Sequence, residues 1–332
     1  MTTQLAMAQA LNAALSDAMR EDDRVLVYGE DVGPLGGVFR VTDGLAAAFG
    51  PQRCFDAPLA EAGIAGTAVG MAMYGLRPVI EMQFDAFAYP AFEQVVSHIA
   101  KLRNRTRGEL TLPLVIRIPY GGGIGAVEHH SDASEAYYVH TPGLHVVAPA
   151  TAQDAYSLLR AAIASDDPVV FLEPKRLYRH KGEVARERPA EPLGRAAVRR
   201  PGTSATLIAY GPAVPVALAA AEAAADTEGW DLEVVDLRTL VPFDDETVTA
   251  SVRRTGRAVV VHEAAGFAGF GAEIAARVSQ RCFHHLEAPV LRVTGLDLPY
   301  PPPLLEQHHL PDVPRVLEAV AALQWPETGS TS

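Results

Sequence analysis

Cysteine is nearly missing from this 332-residue chain. Only Cys54 and Cys282 occur, with no Cys-x-x-Cys, so neither a disulfide framework nor a cysteine metal centre is on offer, and a reducing compartment is the expected setting. Long apolar runs are missing too. None approaches the roughly 20 residues of a membrane-spanning helix. The N-terminal stretch sets Asp17, Glu21, Asp22 and Asp23 against Arg20, unlike a secretion signal or an Arg-rich transit peptide. The chain therefore reads as cytoplasmic, with no membrane partner. Basic residues are outnumbered, 28 Lys and Arg against 40 Asp and Glu, for a formal net charge of −12. That balance argues against nucleic acid, whose phosphates need a basic surface, and suits a basic protein partner instead.

What is present is an α/β pattern. Hydrophobic residues make up 48% of the chain, enough for a large core, and the length suits about two domains. Short β-branched runs at 24–28, 78–84, 112–118, 144–148 and 168–172 alternate with Ala-rich helical stretches at 60–74, 91–104 and 152–165. The last helix has Thr151 as its cap, with Asp154 three residues on. A polar stretch at 183–203, rich in Pro and Arg, breaks the pattern and reads as a linker. The alternation then restarts, with strands at 204–210, 232–237, 258–262 and 290–293 and helices at 214–225, 244–255 and 271–283, and a last helix after Pro311. The expected division is a first domain at 1–185, a linker at 186–203, a second domain at 204–326 and a disordered tail at 327–332.

Four features could carry chemistry. The run Pro58-Leu59-Ala60-Glu61-Ala62-Gly63 places one carboxylate in an apolar, Gly-rich turn that opens a helix. Such an acid either answers the positive end of the helix dipole or is buried for a purpose that shifts its proton affinity. The loop Pro119-Tyr120-Gly121-Gly122-Gly123-Ile124-Gly125 follows a strand but lacks the Lys-Ser/Thr of a P-loop and the GxGxxG continuation, so it reads first as a flexible loop beside a site and only second as a phosphate cradle. Glu128-His129-His130-Ser131-Asp132 is the densest polar cluster. Adjacent histidines in an extended loop face opposite ways, so one imidazole at most would enter a given pocket. Gln83, ending a strand, is followed by Phe84, Phe87, Tyr89 and Phe92, which either pack a core or offer a flat platform to a heterocycle. His284-His285 and His308-His309 lack neighbouring ligand types and read as structural or surface residues. His262-Glu263 closes a strand where a site or a simple Gly turn could follow.

Taken together, the ordered blocks resemble the β subunit of the thiamine-diphosphate-dependent 2-oxo acid dehydrogenases. They are Gly29-Glu30-Asp31-Val32, Gly36-Gly37-Val38-Phe39-Arg40, the Glu61 segment, Glu81-Met82-Gln83-Phe84, His130-Ser131, Phe171-Leu172-Glu173-Pro174-Lys175, Val235-Asp236-Leu237-Arg238 and Pro242-Phe243-Asp244. The likeness is greatest to bacterial branched-chain members, through Glu128-His129-His130-Ser131-Asp132 and Asp85-Ala86-Phe87-Ala88-Tyr89-Pro90. It implies a transketolase-like α/β fold of two parallel-sheet domains, one pyrimidine-binding and one of the transketolase C-terminal type. By residue, it implies that Glu61 hydrogen-bonds the cofactor's aminopyrimidine and activates it, aided by burial that raises its pKa. Leu59 would give a backbone contact to that ring, Gln83 a polar neighbour and Phe87 a packed ring, while His130 would face the thiazolium and act in acyl transfer to lipoyl sulfur. No Gly-Asp-Gly occurs in the chain. The diphosphate and its Mg²⁺ are therefore expected on a separate α subunit, in a heterotetramer of two α and two β chains that also docks a lipoyl acyltransferase core through that core's peripheral-subunit-binding domain. Some members hold a structural K⁺ near the third strand and residues 163–167, which puts a candidate site near Asp167. The implied activity is oxidative decarboxylation of branched-chain 2-oxo acids such as 2-oxoisovalerate. The alternatives are the pyruvate-specific version, a non-catalytic assembly subunit and a self-sufficient transketolase-like protein.

Overall fold

A computed structural model of the chain describes residues 2–324; the tail expected at 327–332 lies outside the described residues. The strands are, in chain order, β1 (Thr2–Ala6), β2 (Val25–Gly29), β3 (Cys54–Asp56), β4 (Arg77–Glu81), β5 (Val115–Tyr120), β6 (His145–Val147), β7 (Val169–Pro174) and β8 (Lys181–Ala185). The second half adds β9 (Ala197–Arg200), β10 (Ala205–Ala209), β11 (Leu232–Asp236), β12 (Thr239–Val241), β13 (Ala258–Ala265) and β14 (Leu291–Gly295). Every residue of β2, β5, β7, β10 and β11 is buried, as central parallel strands covered on both faces require.

The first sheet has seven strands in the order β12-β6-β7-β5-β4-β2-β3, parallel throughout except for β12. One face is covered by helices Met7–Glu21 and Ala152–Ala164, which bring Leu11, Leu15, Leu158 and Ile163 into one apolar cluster. Helix Glu61–Met73 covers the other face through Ile64, Ala65 and Ala68. The second sheet has five strands in the order β14-β13-β10-β11-β9. Strand β12 comes from the second half of the sequence yet pairs antiparallel with β6 of the first sheet, and Ile118, Tyr120, Ile208, Tyr210 and Leu240 lie in one core. The halves are thus joined through their interiors. No helix among the described residues is long and apolar enough to cross a membrane.

Two local expectations are corrected, and one segment carries structure that was not anticipated. The stretch 183–203 is not a bare spacer, because its ends carry part of β8, paired with β1, and β9, which edges the second sheet against β11. The helix expected at 91–104 is broken: a 3₁₀ turn at Ala86–Ala91 containing Pro90, then Phe92–Gln94, a π turn at Val95–Ile99, and Leu102–Arg105. A π turn accommodates an extra residue in the helical ladder. The N-terminus, read only for its charge, forms β1 and the long helix Met7–Glu21.

Candidate active site

Strands β3, β2, β4 and β5 are parallel neighbours, so the segments after their C-terminal ends share one edge of the sheet. Ligands of open α/β sheets bind at such edges. Here the edge gathers Leu59 and Glu61 after β3, Glu30 and Asp31 after β2, Gln83, Phe84 and Phe87 after β4, and His130 after β5.

Glu61 is the first residue of its helix, where the dipole favours an acid. It is half-buried, and its neighbours Ala60, Ala62 and Gly63 are exposed, which corrects the expectation of a carboxylate buried by its own apolar turn. Leu59 turns its side chain outward, 82% exposed. The acid that is buried is Glu30. Its Oε1 has no hydrogen-bond partner, and burial, reinforced by the nearby charges of Glu61 and Asp31, pushes its carboxyl above the usual range. Sequence reasoning treated Glu30 only as part of a family block. The usable signal was an acid placed directly after the wholly apolar strand β2. Gln83 donates through Nε2 to Asp31 Oδ2 at 2.8 Å, which ties the β4 and β2 sides of the edge together.

The aromatic run forms a platform beneath His130. Phe84 meets the His130 ring edge-on with centroids 4.2 Å apart, Phe87 meets it at 5.4 Å, and Phe84 and Phe87 are 5.7 Å apart. His129 also packs on Phe87, at 5.3 Å. The expectation that the two histidines diverge is therefore corrected, because Glu128–His130 is a 3₁₀ turn rather than extended chain. His130 Nδ1 is buried and has no hydrogen-bond partner. Under the platform, Lys175 Nζ lies 5.7 Å from the Phe84 centroid, and burial lowers its pKa to about 8. Asp85, held by Ser134, is pushed by burial up to about 7.

A buried ionic triad supports this edge. Arg117 donates to Glu173 Oε1 at 2.6 Å and Oε2 at 3.0 Å and to Glu81 Oε2 at 2.5 Å, while the Tyr178 hydroxyl donates to Glu173 Oε2 at 2.6 Å. Arg117 and Glu173 are fully buried and Glu81 is 3% exposed. The ends of β4, β5 and β7 are thereby cross-linked by charge.

The remaining expectations concern the cofactor's other groups. The 121–125 loop is not a phosphate cradle, because its amides donate to Glu263, Tyr300 and Glu306 of the second half. Among the described residues no cluster of three His, Cys, Asp or Glu could hold a metal ion. Near Asp167, that carboxylate pairs with Arg103 at 2.5 Å, while Arg77 donates to the carbonyls of Ile163 and Ser165 at 3.0 and 2.9 Å. Asp167 and the carbonyls of Ile163 and Ser165 are thus engaged by two guanidinium groups. A cavity of about 1340 Å³ between the halves, lined by Tyr89, Asp132, Phe243, Phe270 and Tyr300 among others, contains none of Leu59, Glu61, Gln83, Phe87 or His130. The edge bearing those residues carries the exposed Leu59, the half-buried Glu61 and the rings of Phe84 and Phe87, with His130 Nδ1 and Glu30 Oε1 buried and without hydrogen-bond partners.

Residues 3–181 match the family "Transketolase, pyrimidine binding domain" and residues 194–316 match "Transketolase, C-terminal domain". A 3-methyl-2-oxobutanoate dehydrogenase subunit beta of Mycobacterium tuberculosis is 57% identical over 319 residues, covering 96% of this chain and 92% of that protein. The chain belongs to the 2-oxo acid dehydrogenase β-subunit family. This family is thiamine-diphosphate-dependent. Other members similar to this chain are a pyruvate dehydrogenase E1 component subunit beta of Leifsonia xyli, 55% identical with 95% of this chain and 94% of that protein covered, and a 2-oxoisovalerate dehydrogenase subunit beta of Pseudomonas aeruginosa, 48% identical with 90% and 89% covered. The transketolase-like fold of the β subunit is seen in a solved structure described as a split gene transketolase, inactive beta4 tetramer. It matches with a TM-score of 0.78 and 25% identity over 96% of this chain and 98% of that one.

Proposed function

We propose that the chain is the β subunit of a branched-chain 2-oxo acid dehydrogenase, which decarboxylates 2-oxo acids such as 2-oxoisovalerate and passes the acyl group to lipoyl groups of an acyltransferase core. The observation that carries the reading is one edge of the first sheet, where Glu61, Gln83, Phe87 and His130 follow neighbouring parallel strands while Leu59 and the start of the Glu61 helix are exposed. Such a half-site calls for a second chain. We assign that role to an α subunit in a heterotetramer of two α and two β chains, holding the diphosphate and Mg²⁺. The division into a first domain at 1–185, a linker at 186–203 and a second domain at 204–326 is kept as part of the proposal.

When bound, thiamine diphosphate supplies the electron sink for loss of carbon dioxide. The residues of this chain orient it and move protons. Glu61 would share a proton with a ring nitrogen of the pyrimidine, its burial completed by the partner chain. Leu59 would give a backbone contact, Gln83 a polar edge and Phe87 a ring face. His130 would face the thiazolium and supply a proton for acyl transfer to lipoyl sulfur. The test is Glu61→Gln in the reconstituted heteromer, with decarboxylation expected to fall at least about 100-fold; an unchanged rate refutes the assignment.

A pyruvate-specific enzyme is the second reading, supported by the relative of that name at 55% identity. A panel of 2-oxo acids separates the two, since faster turnover of pyruvate than of 2-oxoisovalerate rejects the branched-chain choice. Docking of a basic peripheral-subunit-binding domain on this acidic chain is expected to weaken as salt rises, and salt-insensitive binding counts against it.

A further inference from the structure

We propose that Glu306 and Tyr300 are positioning residues that set His130 by clamping the 121–125 loop; the proposal rests on the reading of His130 given above. The loop leaves β5 with Gly121, Gly123 and Gly125 all in the left-handed region, at φ of 77°, 79° and 70°. Glycine there has many conformations open to it, so the loop needs fixing from outside. The second half supplies that. The Gly123 amide donates to the Tyr300 hydroxyl at 3.0 Å and to Glu306 Oε2 at 3.2 Å, and the Gly125 amide donates to Glu306 Oε1 at 3.1 Å. Tyr300 in turn donates to Glu306 Oε2 at 2.9 Å, and the Gly122 amide donates to Glu263.

One carboxylate thus takes amides from two points of the loop, and bonds to a charged acceptor are the stronger kind. The approach is close enough that a Cβ at Gly122 would overlap the Tyr300 hydroxyl. Two residues beyond Gly125, the carbonyl of Val127 accepts from the His130 amide at 3.0 Å and from Ser131 Oγ at 3.1 Å. The turn that presents the imidazole is therefore anchored to the clamped end of the loop. The bonds of Glu306 and Tyr300 go to that loop and to each other, so their effect on the imidazole passes through the backbone.

The experiment uses the reconstituted heteromer with Glu306→Ala, Glu306→Gln, Tyr300→Phe and His130→Ala. Hydrogen exchange of the 121–130 amides is read beside two rates: decarboxylation with an artificial electron acceptor, and acyl transfer to a lipoyl domain. Glu306→Ala is expected to speed exchange about tenfold and to lower kcat for acyl transfer about 10- to 100-fold, with KM for the 2-oxo acid and the artificial-acceptor rate little changed. Glu306→Gln, which keeps one acceptor oxygen, should fall between. Tyr300→Phe provides the same test with a single hydroxyl removed. Unchanged exchange in both Glu306→Ala and Tyr300→Phe overturns the clamp. Faster exchange with intact acyl transfer, or equal loss of both rates, overturns its action on His130. If His130→Ala itself leaves acyl transfer intact, the reading of His130 fails, while the exchange result still decides the clamp.

Discussion

Replacing Arg117 by Met should expose how much of the edge rests on the buried triad. The substitution keeps an apolar stem but removes the guanidinium donors to Glu81 and Glu173, leaving two carboxylates at 3% and 0% exposure without a cation and with the Tyr178 hydroxyl as the remaining donor to Glu173. Breaking a buried pair by removing one partner costs about 3–5 kcal/mol. The loss has a definite pH dependence. Burial already holds the Glu81 carboxyl above its ordinary range and Arg117 is the charge that pulls it back, so without Arg117 Glu81 is neutral in acid and is forced to ionise as pH rises. Groups with raised folded pKa lose stability as pH climbs from the unfolded value through the folded one. The deficit against the parent chain should therefore grow with pH, by up to about 1.4 kcal/mol per unit for each proton involved. Urea unfolding followed by far-ultraviolet circular dichroism, at one protein concentration and at about pH 5.5 and pH 8, measures it. A loss under about 1 kcal/mol at the higher pH, or an equal loss at both, refutes the reasoning.

Other outcomes follow from the same structure. His262 is fully buried with both ring nitrogens unpartnered, and burial lowers its pKa to about 4. Its contribution is complete above the unfolded value near 6.5 and is lost as pH falls toward 4, worth at most about 3 kcal/mol, so His262→Leu should flatten acid unfolding over that window; an unchanged slope contradicts it. Asp244 caps helix Asp245–Thr255 through the Thr247 amide at 3.1 Å and also holds the Ala196 amide at 2.9 Å, so Asp244→Ala should cost about 1–2 kcal/mol by thermal unfolding. Phe87→Tyr should leave cofactor affinity of the heteromer unchanged, whereas Phe87→Ala should weaken it about tenfold in a titration; equal effects from the two would remove the ring-face role.

Much of this architecture could be read from the chain because buried parallel strands are locally apolar and helices between them are Ala-rich. Strands β2, β4, β5 and β7 and helices Glu61–Met73 and Ala152–Ala164 follow from such runs. What escaped depends on distant partners. Strand β12 is only Thr239–Val241 and exists because β6 accepts it, and β9 exists because β11 offers an edge. The same holds at the candidate site. Glu61, Gln83 and Phe87 stood out by residue type in their local setting. The common seat of His129 and His130 on Phe87 and the grip of Glu306 on the 121–125 loop are products of tertiary placement, with separations that no local pattern encodes.

The central claim is that this chain supplies the pyrimidine half of a shared site. Calorimetric titration of thiamine diphosphate with Mg²⁺ into the purified chain, alone and then mixed with an α subunit bearing Gly-Asp-Gly, tests it most directly. The expected result is no saturable binding alone and about one cofactor bound per β chain on mixing. Stoichiometric, Mg²⁺-dependent binding by the chain alone would contradict it.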